Sequence, residues 1–254
     1  LQSGKHVLCE KPLCKSFEEG EELVSLAKTN SLVLMVGHVF LFNSGIVKLR
    51  ELIMGNDFGK IYYLAATRTN LGPVRNDVNS VYDLAPHDIS IFNFLLDSVP
   101  TKVSAVGVSF LQEGIEDVTF ISLKYPGNVL ANIRASWLDP KKIRQITMVG
   151  DKKMATWDDL AEIGPVTVYD KGITKEPYYN DYGEFQLLAR EGDITIPKVK
   201  MEEPLKAQIR YFLSCLEDGT TPINDGSNGV AVVKAILAIS KSISLRGQSV
   251  IVEE

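Results

Sequence analysis

The spacing of apolar positions along this chain changes several times, and each change marks an element. Residues 6–10 (HVLCE) hold a short unbroken apolar run, consistent with a strand buried on both faces. Ser16 then precedes Glu18, Glu19, Glu21 and Glu22, with Leu23, Leu26 and Ala27 behind them at helical spacing. A Ser cap followed by acids is a helix start, because the free N–H groups and the helix dipole favour oxygen and negative charge there. Asn30 and Ser31 end that helix, and residues 32–36 (LVLMV) form a second buried strand. Residues 1–40 therefore read strand–helix–strand. Beyond Gly37 the pattern predicts a helix over 45–54 stopped at Gly55, a strand over 60–70 and a loop over 71–82. A helix over 83–96 follows, with Ile89, Phe92, Leu95 and Leu96 on its apolar side. Strand-like runs occupy 102–110, 117–124, 128–137, 143–150, 153–158 and 165–170, separated by turn residues such as Pro126-Gly127-Asn128. Strands in succession without helices between them predict a mostly antiparallel sheet. Residues 172–203 read as irregular, 203–216 and 229–245 as helices, and 249–252 as a short extended piece.

The fold class expected is thus α/β followed by α+β: the last βαβ of an open parallel sheet, then a domain with a large, mostly antiparallel open sheet. The boundary falls at 1–38 and 39–254, with 229–254 expected to pack back on the first part. A lone βαβ cannot be a domain, since its apolar strand edge needs further strands. Those strands are expected to lie N-terminal to residue 1, which makes this sequence an N-terminally truncated one.

Composition narrows the function classes. At 254 residues, 45% hydrophobic and 23% charged, the chain can bury a sizeable core. A net charge of −5 and a pI near 5.4 argue against nucleic acid and anionic membrane, whose partners carry basic faces. No run of about 18 apolar residues is present to span a bilayer. Cys9, Cys14 and Cys215 are odd in number and form neither a disulfide framework nor a C-x-x-C pair, which fits a cytoplasmic, reducing setting and no bound metal.

Candidate chemistry sits at strand and helix ends. Glu10-Lys11-Pro12 leaves the first strand at its carboxyl end, where open α/β sheets build their sites. A Lys there supplies fixed positive charge where alkoxide character develops. Asp83 and His87 lie four residues apart and share a helical face, and imidazole titrates near neutral pH. Asp83 either caps that helix or projects into the site, and Pro86 falls in the first turn if Asp83 is the cap.

The stretches GKHVLCEKPL, LVLMVGHVFLFNSGIVKLRELI, DLAPHDISIFNFLL and SWLDPKKIRQITMVGDKKMATWDDL, in this order, resemble the glucose–fructose oxidoreductase / inositol dehydrogenase / MocA family. The resemblance implies an NAD- or NADP-dependent oxidoreductase with a Rossmann domain, moving hydride to or from a ring carbon of a sugar or sugar nucleotide. Its sugar-nucleotide branch oxidises UDP-N-acetylhexosamines, often at C3. It implies that Glu10, Lys11 and Pro12 face the nicotinamide, that Lys11 hydrogen-bonds the reacting hydroxyl, that His87 takes its proton, and that Asp83 orients or charges His87. Two positions depart from the family pattern: Ser90 stands where relatives often carry an acid, and Leu41 where many carry Arg. His38 and Asn43 then become substrate contacts, with Arg68 and Asn70 on the outgoing strand. Trp137 is expected to stack on a sugar or base face, and Lys142 and Arg144 to meet phosphates. Tyr178, Tyr179 and Tyr182 mark a packed or substrate-covering loop. The open sheet face is expected to form a homodimer or homotetramer.

No G-x-G-x-x-G turn occurs in the sequence. The family places it before residue 1, across roughly 90 further residues at ~30 per βαβ step. The chain alone is therefore expected to bind NAD(H) weakly and to be inactive. An NAD-dependent glycosidase and a non-catalytic dinucleotide-binding regulator are the alternatives.

Overall fold

The computed structural model describes residues 1–175 and 187–252; Tyr178, Tyr179 and Tyr182 lie outside them. β1 (Val7–Cys9) and β2 (Leu34–Val36) pair in parallel, Val7 opposite Leu34, and are joined by α1 (Phe17–Thr29). A capping box opens α1: the Ser16 hydroxyl accepts from the Glu19 N–H while the Glu19 carboxylate accepts from the Ser16 N–H. Residues 224–225 run antiparallel beside β2, where the Val36 N–H donates to the Asn224 carbonyl at 2.8 Å. They lead into α5 (Gly226–Ser244), which crosses α1. Gly20 permits the crossing, since a Cβ there would stand 2.8 Å from Val230 Cγ2. The small core between these elements is Leu13, Ala27, Leu34, Val36 and Val230.

The larger core lies under a nine-stranded sheet. In chain order its elements are α2 (Ser44–Met54), β3 (Ile61–Leu71), α3 (Ser80–Leu96), β4 (Lys102–Val108), β5 (Val118–Tyr125), β6 (Val129–Ser136), β7 (Leu138–Gly150), β8 (Met154–Asp158), β9 (Val166–Lys175), β10 (Leu187–Thr195), α4 (Pro204–Asp218), α5 and β11 (Val250–Ile251). The strand order is β10-β9-β8-β7-β3-β6-β5-β4-β11, and among the described residues of this sheet β3–β6 is the one parallel pair. Strand alternation decides which face is covered. On β5, Thr119, Ile121, Leu123 and Tyr125 are buried, while Phe120 and Lys124 are exposed. The buried face packs on α3, whose Ile89, Phe92 and Leu95 are fully enclosed, and on α5, which therefore touches both parts of the molecule.

Three expectations need correction. α3 begins at Ser80 and is capped by Asn79, whose Oδ1 accepts from the Tyr82 N–H at 3.1 Å, so Asp83 is not its cap. Pro86 accordingly sits in the second turn and not the first. The stretch 172–203 is not wholly irregular: β9 runs on to Lys175, and Leu187–Thr195 is a strand at the sheet's edge. Its Arg, Glu, Gly and Asp residues have little strand preference of their own, so the pairing with β9 holds it extended.

Candidate active site

The site forms where the carboxyl ends of β1 and β2 meet the first turns of α3 and the β3 and β7 ends that flank it. The Gly37 N–H donates to the Cys9 carbonyl at 2.6 Å, tying the two strand exits together. From there Lys11 reaches α3, and its Nζ donates to the Asp83 main-chain carbonyl at 2.6 Å. Pro86 has no N–H to offer the Tyr82 carbonyl four residues back, and the neighbouring Asp83 carbonyl takes the ammonium. The Asp83 carboxylate also lies close, with Oδ1 4.0 Å from Lys11 Nζ and 3.7 Å from Arg75 NH1. Burial pulls the Lys11 pKa below its ordinary value; Asp83 and Glu10 oppose this, while Arg75 and Arg68 reinforce it.

Asp83 Oδ2 accepts from Trp137 Nε1 at 3.0 Å. One helical turn further, His87 presents its ring edge-on to Phe40, centroid to centroid 5.0 Å, and its Nδ1 is sealed without a partner. Burial holds the His87 pKa well below the ordinary histidine value, and the charges of Arg68, Lys11, His38 and Arg144 push it the same way. Phe40 belongs to a 3₁₀ turn, Val39–Phe42, directly after β2. The Arg68 guanidinium lies over its ring at 4.4 Å and that of Arg144 at 5.5 Å.

The structure therefore brings Lys11, Asp83, His87, His38, Arg68, Arg144 and Trp137 into one neighbourhood, with tasks that differ from several expectations. Arg68 is 3% exposed and grips Asp88 with both arms at 2.8 Å, so it supports the site from beneath and does not reach outward. Trp137 is fully buried and offers no ring face for stacking. Asn43 caps α2 through Gly45, accepts from Trp157 Nε1 and donates to Asp159, which uses its amide within the protein. Asn70 donates to the Gly72 carbonyl, and Arg144 pairs with Asp159 at 3.0 Å. Lys142 lies exposed on β7.

Phe40 and Arg75 join the site without having been singled out from the sequence, and Asp88, which the sequence offers only as the weaker acid beside His87 on a different helical face, joins it as the partner of Arg68. Asp88 left a signal: it falls in the register Ala85-Asp88-Phe92-Leu95, otherwise apolar and buried, and an acid in such a stripe demands a buried cation. Phe40 left none, because an aromatic in VFLF reads as core.

His38 is 1% exposed, and neither ring nitrogen has a partner. Burial, and then the Lys11 charge, lowers its pKa to about 4. Between the ordinary value of 6.5 and about 4 the unfolded chain binds a proton that the native state refuses. Stability present above pH 6.5 is thus lost as pH falls toward 4, by about 3 kcal/mol from His38 alone. His87, depressed likewise, adds in the same direction. Urea midpoints should fall between about pH 6.5 and 5, where carboxylates stay ionised. The His38→Phe variant should show a flatter fall, and an unchanged slope would refute the assignment.

The unpaired nitrogens of His38 and His87 and the Lys11 ammonium, set at parallel strand ends, fit the reacting end of a nicotinamide dinucleotide. Nothing here is assigned to its pyrophosphate. Among the described residues no cluster of three or more His, Cys, Asp or Glu could hold a metal, and no helix is long and apolar enough to cross a membrane.

Comparison with known proteins gives the same direction. Residues 1–38 match the family model of the oxidoreductase family with an NAD-binding Rossmann fold, and residues 46–156 match that of the GFO/IDH/MocA C-terminal domain. An oxidoreductase of Streptococcus pneumoniae is 26% identical over 139 residues, which is 49% of this chain and 38% of that protein. The match thus spans well under half the length of that relative. The 1,5-anhydro-D-fructose reductase of Ensifer adhaerens is 24% identical over 267 residues, covering 100% of this chain and 74% of that one. Among solved structures, UDP-N-acetylglucosamine 3-dehydrogenase from Acidithiobacillus ferrooxidans superposes with a TM-score of 0.80 at 26% identity, covering 96% of this chain and 73% of the other. With residues 1–38 and 46–156 matched in order and the fold shared, the chain belongs to the GFO/IDH/MocA family of oxidoreductases, whose cofactor is NAD or NADP.

Proposed function

We propose that the whole protein to which this chain belongs transfers hydride between a nicotinamide cofactor and a ring carbon of a sugar nucleotide, C3 of a UDP-N-acetylhexosamine being the leading candidate. The observation that carries this reading is the convergence of Lys11, at the carboxyl end of a parallel strand, with Asp83, 72 residues away along the chain, one helical turn before His87. The similarity to a UDP-N-acetylglucosamine 3-dehydrogenase supports the substrate class. Lys11 is anchored on the Asp83 carbonyl, and its remaining protons donate to the reacting hydroxyl and stabilise the developing alkoxide. His87 rests neutral, held so by burial and the cations around it, and a neutral imidazole accepts the hydroxyl proton. Its sealed Nδ1 leaves Nε2 for that task. Glu10, Lys11 and Pro12 are assigned to the nicotinamide side, and Lys142, exposed on β7, to a phosphate. When bound, the nicotinamide ring supplies the hydride acceptor or donor.

The test is a panel of UDP-N-acetylglucosamine, myo-inositol and glucose with NAD⁺ and NADP⁺ on the whole protein, followed by nicotinamide absorbance and product analysis. Reduction of the cofactor with the sugar nucleotide is expected. Release of free sugar without net reduction would replace this reading by the glycosidase one, and binding without any turnover by the regulatory one.

The reading includes a second copy of the chain on the open sheet face, where Val106, Phe120, Leu130 and Tyr63 stand between 43% and 52% exposed. Such a patch on a sheet otherwise covered on one side only is a surface for association. Light scattering at micromolar concentration should give at least twice the monomer mass. A clean monomer would refute it. The three free cysteines support a reducing, cytoplasmic setting.

A further inference from the structure

We propose that Trp137 is a positioning residue that fixes the Asp83 carboxylate for the acid–base step, a role that rests on the hydride-transfer reading above. Trp137 stands between β6 and β7, and three bonds tie it to three different segments. Its N–H donates to the Asp117 carbonyl at 3.0 Å, and its carbonyl accepts from the Gly72 N–H at 3.0 Å. Its Nε1 donates to Asp83 Oδ2 at 3.0 Å. Asp117 is itself buried, and its carboxylate accepts from the Phe110 and Leu111 N–H groups. The indole is fully enclosed, so it cannot swing to follow a carboxylate that moves.

The indole N–H is a donor only. It therefore holds Asp83 through one oxygen and makes the two carboxylate oxygens unequal. Oδ2 is committed to Trp137, and Oδ1 is left toward the cations, 3.7 Å from Arg75 and 4.0 Å from Lys11. Lys11 is meanwhile bonded to the carbonyl of the same residue. Fixing Asp83 thus fixes the negative charge beside Lys11 and the turn of α3 that carries His87. Trp157 provides an internal contrast. It is equally buried and its Nε1 is also bonded, at 3.2 Å, but to the Asn43 amide that caps α2.

These are the only two tryptophans, so the indole N–H region of a proton–nitrogen correlation spectrum holds two signals. Trp157→Phe assigns them. In Asp83→Asn the Trp137 signal should move upfield, since a bond to a carboxylate is exchanged for a weaker one or none, and the Trp157 signal should stay. In the whole protein, with UDP-N-acetylglucosamine and NAD⁺, Trp137→Phe should lower kcat about 10- to 100-fold, the cost of a slightly misplaced group, with KM changed by less than about threefold. An unmoved Trp137 signal in Asp83→Asn, or wild-type kcat in Trp137→Phe, would overturn the proposal. If Trp137→Phe does not fold, the Asp83→Asn spectrum alone decides. Full turnover in Lys11→Ala and His87→Ala would instead remove the hydride-transfer reading, whatever the indole signals do.

Discussion

In the whole protein, replacing Lys11 or His87 by Ala should each lower kcat by about 10²–10⁴, the usual contribution of a positioned acid or base. Cofactor affinity should change far less. The two variants fail for different reasons. Lys11→Ala removes the ammonium that donates to the Asp83 carbonyl at 2.6 Å and, by proposal, to the reacting hydroxyl. The alkoxide then develops without its counter-charge. His87→Ala removes the proton acceptor and leaves Lys11 in place, so hydroxide or buffer at high pH should recover part of the rate. Lys11→Ala should gain less from such rescue, because no small base replaces a fixed cation. The Lys11 pKa is also below its ordinary value, chiefly through burial. The alkaline limb of kcat against pH should therefore lie below the ordinary lysine value. Measuring kcat across about pH 6–9 checks both variants; near wild-type turnover in His87→Ala over that range would refute the acid–base assignment.

Breaking the Arg68–Asp88 pair should carry the largest stability effect. The side chains of both partners are nearly closed to solvent, at 4% and 2%, and both arms of the fork are 2.8 Å long. Arg68→Ala strands a buried carboxylate and Asp88→Ala a buried guanidinium. Each should cost about 3–5 kcal/mol, because the remaining charge keeps its desolvation penalty without the attraction that offset it. In a domain of this size that corresponds to a Tm lower by roughly 6–20 °C. Replacing both at once, Arg68→Met with Asp88→Leu, should recover most of the loss, since no buried charge remains. Thermal and urea unfolding of the three variants give the comparison. Singles no less stable than the wild type would mean that water reaches the pair. The double variant also removes the guanidinium over Phe40 at 4.4 Å. Arg68 lowers the His87 pKa, so the His87 ring titration in the double variant should move up toward its ordinary value.

Local chemistry made much of this protein legible without coordinates. Ser16 followed by Glu19 announces the capping box, because both partners of its bonds lie within four residues. The apolar runs before Glu10 and Gly37 are too short for helices and become β1 and β2. Alternation in 118–125 states which side of the sheet is covered. Lys11, Asp83 and His87 were singled out through the resemblance of their stretches to the family, and the fold sets the Lys11 ammonium on the Asp83 carbonyl. Tertiary structure alone decided the rest. Leu187–Thr195 carries Arg, Glu, Gly and Asp in its middle, and its pairing with β9 holds it as a strand. Trp137 read as a stacking surface because an indole's length and apolarity suit a ligand as well as a core. Only the β6–β7 junction shows it enclosed, with its N–H spent on Asp83. Arg68 and Asn43 read as outward contacts because polarity favours solvent, yet partners 20 and 116 residues away in sequence, Asp88 and Asp159, hold them inside. A side chain's own chemistry sets which bonds it can make. Which partner it meets depends on chain segments far removed in sequence, and that is settled only by how the sheet and helices pack.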